Sequence, residues 1–522
     1  MIGRRPVLLV AAASALAAPC TARAQGGSGD LGPLALPVKQ DDTVAPGLGR
    51  DVLVRWGDRV AFDAPRWEPR GPSPDAAAAQ FGWDARVCGI ALPPPAADAV
   101  PRGVLAVVHP WVDPTMAWPG GADRPAVAAA MQGATLLNVE KQSGRWVVTD
   151  GGFQSRRLTA ATLCRLSGPA AAPGGAVRGV LGPQGGDVTP WGSLLLAEGD
   201  PAPWLARLGP GAGEPPGFGW VVEVDPLDPQ SVPVKRTALG RFAHGDAAAT
   251  LARDGRAVVY LTDRRPAGFL YRFVSAGPAT TPDGLDAGTL AAARLEGERL
   301  RWLPLPAGAA TALDPGEAAR RAGGSTLDGP SGLGLDPQRQ RLLLACRGGP
   351  ARPAGHVIEI TADAGDDAAD TATAVLLFAA GDPRAPQGGG RYGRAGLPAG
   401  SAFPENPDTV AVDGRGRAWI GTDHGGQVRG QAAGLFACDL DGPWRGVPLP
   451  AYGAPRGASL GGAALPPDGE ILFAAVRHPG AEPGASFDRP GTRWPEFRPG
   501  VPPRTTLIGL TRAAGGGGPV GG

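Results

Sequence analysis

Apolar residues in this chain gather in short runs of strand length and seldom recur at the three-and-four spacing of a helix face. Three such runs, 220–224, 257–262 and 269–274, follow one another inside the stretch 219–275. The residues between them are turn formers: Asp225-Pro226-Leu227-Asp228-Pro229-Gln230, Asp254-Gly255 and Arg264-Arg265-Pro266. Apolar and β-branched runs bounded by Gly, Pro and Asp read as strands. Runs at 52–56, 88–92, 103–111 and 146–149 precede that stretch, and runs at 301–304, 342–346, 356–360, 376–382, 435–439 and 504–512 follow it. A strand, an Asp-Gly turn and a second strand carrying an aromatic residue return around Asp254, Asp413 and Asp468, a weak internal repeat. Many short strands at near-regular spacing predict an all-β barrel, sandwich or propeller, and the strand at 504–512 is placed to close a ring. The polar Ala/Arg-rich segment after residue 304 reads as briefly helical.

Gly (83) and Pro (58) are frequent enough among 522 residues to raise disorder as an alternative. They fall mostly between the apolar runs, however, and hydrophobic residues reach 43%, which suits a packed core. A formal net charge of +1 gives no electrostatic reason to expect nucleic acid or an anionic membrane as partner. Lysine occurs only at Lys39, Lys141 and Lys235, an Ala/Gly/Arg bias that reads as base composition rather than function. Arg4-Arg5, the apolar run 7–18 and Ala22-Arg23-Ala24 make residues 1–24 a secretory signal peptide of twin-arginine type, cleaved before Gln25. That run is too short to span a bilayer and no other segment is longer, so a periplasmic or secreted location is expected. Removal of Cys20 with the signal leaves Cys88, Cys164, Cys346 and Cys438. Export permits disulfides among them, and isolated buried thiols are the simpler expectation. Residues 25–45 read as a linker, 46–512 as the folded domain and 513–522 as a disordered Gly-rich tail.

Several passages carry a specific resemblance. Gly219-Trp220-Val221-Val222-Glu223-Val224-Asp225-Pro226 is followed by the run PVKRTALGRF at 233–242 and by His244-Gly245-Asp246-Ala247. Together with Thr189-Pro190-Trp191-Gly192, Pro407-Asp408, LPPDGEILFAAVRHPG at 465–480 and Trp494-Pro495, these make the chain from about residue 51 to 512 resemble the PhoX-type alkaline phosphatases. The resemblance implies an exported, monomeric, six-bladed β-propeller with long inter-strand loops. It also implies hydrolysis of phosphate monoesters at an iron–calcium cluster in the central channel.

The acids depart from that family's pattern. Where the family continues the strand near His109 with Glu, this chain has Pro110; its Cys-Glu-Glu is Ala197-Glu198-Gly199, and its His-Glu-Gly is His244-Gly245-Asp246. An acid pair becomes Asp263-Arg264, a further Glu becomes Gly268, and Arg-Pro-Glu-Asp becomes Gly329-Pro330-Ser331-Gly332. Pro-Asp-Asn becomes Pro407-Asp408-Thr409, and Gly-Ala-Glu becomes Gly457-Ala458-Ser459. Calcium takes six to eight oxygens and a ferric pair wants carboxylate and thiolate donors, so adjacent cations need many carboxylates to balance their charge.

The candidates that remain are His109, Glu198, His244, Asp246, Asp263 and Asp408. Of these, Glu198, Asp246, Asp263 and Asp408 would hold a single Ca²⁺ at most; no cofactor is expected, calcium is the one cation admitted, and iron is not expected. Asp at channel-side loops also caps turns by accepting from backbone amides, the plainer role. Trp191, Trp220, Trp302 and Trp419 are expected to pack in cores. His356 is expected at a strand edge, and His424 and His478 in exposed loops. No H-E-x-x-H or P-loop pattern occurs, and Gly388-Gly389-Gly390 and Gly323-Gly324-Ser325 lack a strand–helix context. The donor count favours an exported propeller that has lost its metal centre and binds a small polar ligand or acts as a scaffold, rather than an enzyme. The alternatives are a phosphomonoesterase with a reduced calcium site, and a propeller that docks another periplasmic protein.

Overall fold

The structure, a computed structural model, describes residues 28–521 apart from 150, 173, 212, 337, 386–391, 394, 426–429 and 514–517. The expected signal peptide, the start of the expected linker, Gly388-Gly389-Gly390 and part of the tail lie outside the described residues.

The apolar runs form strands. The run at 257–262 is the strand Arg256–Asp263, that at 342–346 is Arg341–Cys346, and that at 504–512 supplies Thr506–Arg512. Strand makes up 39% of the chain and helix 11%, so sheets supply the core and the fold is all-β. The turn aspartates do the local work expected of them. Asp254, Asp413 and Asp468 each accept, through Oδ1, from the backbone N–H two residues on, which closes the turn between two antiparallel strands.

The first sheet is a meander of Arg86–Ala91, Arg102–His109, Gly133–Gln142 and Arg145–Val148. The second runs Pro183–Val188, Leu194–Glu198, Val221–Val224 and Val234–Arg236, with Leu163–Ser167 added in parallel. A nine-stranded sheet follows, with His244–Leu251 at one end and Pro330–Asp336 at the other. Its halves join where Arg299–Pro304 pairs with Thr371–Ala379. The two end strands approach each other again, so this sheet nearly closes on itself. Next come Pro407–Val412, Arg417–Thr422, Gly434–Asp439 and Pro448–Gly453, then Ser459–Ala464, Leu472–Arg477, Thr506–Arg512 and Leu48–Arg55. The last pairing runs from Leu48 opposite Arg512 to Arg55 opposite Thr506 and ties the two ends of the fold together.

Residues of Arg86–Ala91, Pro183–Val188, His244–Leu251, Pro330–Asp336, Pro407–Val412 and Ser459–Ala464 together line one axial cavity of about 270 Å³. Strands one step out from the axis are covered on both faces. Every residue of Arg341–Cys346 and of Arg417–Thr422 is buried, which is why such sequences are apolar runs rather than alternations. The core therefore lies in layers between sheets. Leu105 and Val107 meet Phe473 and Ala475; Leu195 and Ala197 meet Val259 and Leu261; Leu343 and Ala345 meet Ala418 and Ile420.

Two segments differ from expectation. Residues 31–45 are docked rather than a free linker: Leu31 and Leu36 are buried, and Thr43–Val44 pairs with Tyr452 and Gly453. The physical reason is the edge of Pro448–Gly453, whose backbone groups gain partners. In the Gly-rich tail, Val520 is fully buried beside Trp419 and Ile508, and Arg415 and Arg417 donate to the carbonyls of Val520 and Gly521. The segment after residue 304 is helical at Ala309–Leu313 and Pro315–Ala322. Trp220, Trp302 and Trp419 pack in the core, whereas Trp191 is half-buried and donates to Glu223. Cys88, Cys164, Cys346 and Cys438 are unpaired. No described helix is long and apolar enough to cross a membrane.

Candidate functional site

Equivalent positions in several sheets place charged side chains at one end of the axis. Arg264 follows the strand Arg256–Asp263, Arg347 follows Arg341–Cys346, Asp423 follows Arg417–Thr422, and Arg477 ends Leu472–Arg477. At the same end, the loop before Arg86–Ala91 brings Asp84, and Pro407–Val412 brings Asp408. Asp408 is fully buried. Its Oδ1 accepts from Ser331 Oγ at 2.7 Å and from Arg264 Nη2 and Arg347 Nη1 at 3.1 Å each. Its Oδ2 lies 3.6 Å from Arg477 Nη1 and 3.8 Å from Arg86 Nη1. Asp423 accepts Ser459 Oγ at 2.8 Å on one oxygen and Arg347 and Arg477 at 3.2 Å on the other. Asp84 binds Arg477 through both oxygens, at 2.8 and 2.9 Å.

Four guanidiniums thus face three carboxylates, leaving one positive charge in excess. Burial alone would raise Asp84 and Asp423. Arg477 beside both, with Arg347 beside Asp423, outweighs it, and both carboxyls sit below their ordinary range, Asp423 well below. Arg264 and Arg347 keep 20% and 27% of their side-chain exposure, so they form the solvent side of the cluster above a sealed Asp408. Arg264 also donates to Gln184 Oε1 at 2.9 Å.

Of the six candidate ligands read from the sequence, Asp408 alone joins this cluster, together with Arg264, Ser331 and Ser459 from the replaced positions. Glu198 is fully buried and accepts from the backbone N–H groups of Leu181, Gly219 and Trp220 and from Lys235 Nζ at 2.7 Å. Every oxygen is occupied, so it staples its sheet rather than reaching the axis. Asp263 is held by Arg265, with Nε at 2.9 and 3.0 Å from its two oxygens. His109 is buried behind the cluster, its Nε2 2.6 Å from Thr135 Oγ1 and its Nδ1 against the Asp84 carbonyl. Burial drives it well below the usual histidine range, and it steadies the loop that carries Asp84. Asp246 faces the axial cavity with Asp187, and Leu333 N–H donates to it at 3.0 Å. Burial raises Asp246 to about 6 and Asp187 to about 7. His244 is fully buried against Phe242 with its ring beside the Gly219 and Gly240 backbone, and burial lowers it to about 3. Glu198, Asp246, Asp263 and Asp408 therefore do not converge, because each is bound by its own neighbours.

His424 is buried rather than exposed, and His478 is half-buried and stacks on Trp83 with centroids 6.2 Å apart. Asp84, Asp423, Arg86, Arg347 and Arg477 were not anticipated. For Arg347, Asp423 and Arg477 the signal was positional, a charged residue recurring where the second strand of a meander ends, whereas Asp84 and Arg86 lie just before and at the start of an inner strand. Gly457-Ala458-Ser459-Leu460-Gly461 also has G-x-S-x-G spacing, but Ser459 opens a strand rather than a strand-to-helix elbow and donates to Asp423, so it is no exposed nucleophile.

The family model for alkaline phosphatase PhoX matches residues 30–480. The chain belongs to the PhoX alkaline phosphatase family. PhoX from Pseudomonas fluorescens, solved in complex with vanadate, a transition-state analogue, is similar at 26% identity. That alignment covers 94% of this chain and 98% of the other, with a TM-score of 0.83. A gluconolactonase from Xanthomonas campestris aligns at 13% identity over 85% of this chain and 99% of its own, with a TM-score of 0.32, too low to bear on fold or function. No curated protein matches.

Two expectations are corrected by this. The expectation of a propeller that has lost phosphatase function and serves as a binder or scaffold is overturned by the family match and by the vanadate-bound relative that aligns over nearly the whole chain. The expectation of no cofactor, with calcium alone admitted and iron excluded, is overturned because PhoX-family enzymes use calcium and iron. The arrangement described at the axis does not fit a multi-cation cluster as it stands. Asp84, Asp408 and Asp423 are each engaged by guanidiniums, which already balance the charge that cations would have to balance. Among the described residues, no three His, Cys, Asp or Glu side chains are grouped as metal ligands.

Proposed function

We propose that the chain is a six-bladed β-propeller, exported as a monomer by residues 1–24 to the periplasm or beyond, that hydrolyses phosphate monoesters at the arginine-lined end of its axis. The observation that carries this is the likeness, over nearly the whole chain, to a PhoX solved with a transition-state analogue. The six strands lining the axial cavity, each backed by an antiparallel meander, support the blade count. A phosphate ester presents a dianion. Arg264 and Arg347 meet it first because they alone in the cluster keep appreciable exposure, and guanidinium forks match phosphate oxygens. In the reaction the oxygen of water bonds to phosphorus, the P–O bond to the alcohol breaks, and the proton lost by water passes to the departing alkoxide. The arginines hold and orient the phosphoryl oxygens and stabilise their charge as it redistributes.

The test is turnover of p-nitrophenyl phosphate by purified protein beginning at Gln25, with chelator, with calcium, and with calcium plus iron. Turnover is expected in at least one condition, and Arg264→Met is expected to lower kcat/KM by about 10²-fold. No turnover in any condition, or an Arg264→Met variant as active as the parent, overturns the proposal.

A further inference from the structure

A cavity of about 380 Å³ shares a wall with the arginine cluster and is lined by Pro110, Trp111, Trp204, Ala243, His244 and Arg264. Its wall is mainly apolar, with Gln184, Asp200 and Arg265 as further polar lining, and its aromatic part is fixed in place. The Trp111 and Trp204 rings lie 4.8 Å apart, and the Arg207 guanidinium sits 5.0 Å from the centroid of each. Arg207 is in turn held by Asp123 and by the Val112 carbonyl at 2.7 Å, while Trp204 Nε1 donates to the Pro110 carbonyl at 3.0 Å. Trp204 is buried, yet Trp111 stays 37% exposed, so an aromatic face is held ready against the cavity. His244 is sealed from solvent with its ring against Phe242 and beside the Gly219 and Gly240 backbone, so it backs the cavity wall rather than offering a polar atom to it. At the rim, Arg264 binds Gln184 and Asp408, which joins this cavity to the proposed phosphate position.

We propose that this cavity receives the alcohol portion of the ester and favours aromatic or extended apolar alcohols over small ones. The inference rests on the arginine cluster holding the phosphate. Aromatic groups gain most in pockets with Trp walls and few, well-placed polar groups.

Phosphonates keep the charge and shape of the ester but cannot be hydrolysed, so their binding separates the subsite from turnover. Titration calorimetry is expected to show benzylphosphonate binding about tenfold more tightly than methylphosphonate. Trp111→Ala is expected to remove most of that margin. Equal affinities, binding of neither compound, or an undiminished margin in Trp111→Ala each overturn the inference. Monoester turnover with equal phosphonate affinities sinks the subsite alone, whereas selective binding with no turnover in any metal condition sinks the hydrolase assignment alone.

Discussion

Asp187 and Asp246 show how a single position couples the axis to pH. Both face the axial cavity, and burial raises them to about 7 and about 6; Asp246 also repels Asp187, while Arg86 eases Asp246. An unfolded Asp titrates near 3.9. Between roughly pH 4 and 7 the folded chain therefore holds protons that the unfolded chain has released. Stability falls as pH rises through that window and levels off above it. Asp187→Asn removes one of these titrations and keeps an oxygen to accept from Ala249 N–H, which lies 3.1 Å from Oδ2. Asp187 is half-buried, so water screens part of the effect. The variant should match the parent at pH 4 and exceed it by about 2 kcal/mol at pH 8. Urea unfolding at the two pH values measures this; a variant less stable than the parent at pH 8 would mean that an ionised, well-paired carboxylate had been lost instead.

At the scale of the strand, Glu198 shows what a buried ion pair does for one sheet. It ends Leu194–Glu198, while Lys235 lies two strands away in Val234–Arg236 with its ammonium 2.7 Å from Glu198 and over the Phe218 ring. Glu198→Gln leaves that ammonium sealed without its counter-ion, which should cost about 3–5 kcal/mol. Adding Lys235→Met should recover part of the loss, because removing both charges is cheaper than stranding one. Guanidinium unfolding of the single and double variants decides it, and a single variant as stable as the parent refutes it. The same pair marks where sequence stops being legible. A carboxylate at a strand end reads alike whether its partner is a cation or a lysine brought there by pairing of distant strands, so Glu198 and Asp263 looked like ligands. Strands themselves were legible because burial on two faces leaves apolar runs between Gly, Pro and Asp turns. Asp408 was legible because Pro407-Asp408-Thr409 keeps the acid of the family's Pro-Asp-Asn. Arg347 and Arg477 beside it were not, because attention to acids misses a recurring strand-end position filled by the opposite charge.

Over the whole molecule, the fold depends on how its ends meet. Thr506–Arg512 lies between Leu472–Arg477 and Leu48–Arg55, so one strand near the C-terminus joins the last sheet to the start of the folded chain. Beyond it, Val520 is buried in the layer that holds Trp419, Arg512 Nε donates to the Pro519 carbonyl, and Arg415 and Arg417 cap the next two carbonyls. These contributions differ in kind. The tail adds one buried side chain and a few charge-assisted hydrogen bonds, whereas the strand supplies two ladders and Leu507, Ile508 and Leu510, all fully buried. A chain ending at Arg512 should keep its cooperative melt and lose about 2–3 kcal/mol. A chain ending at Arg504 should expose two strand edges and the apolar layers behind them, and should lose the cooperative transition altogether. Thermal melts followed by near-ultraviolet circular dichroism distinguish the two. If the shorter chain melts like the longer one, the meeting of the termini is not what holds the sheets in register, and the cores between neighbouring sheets suffice alone.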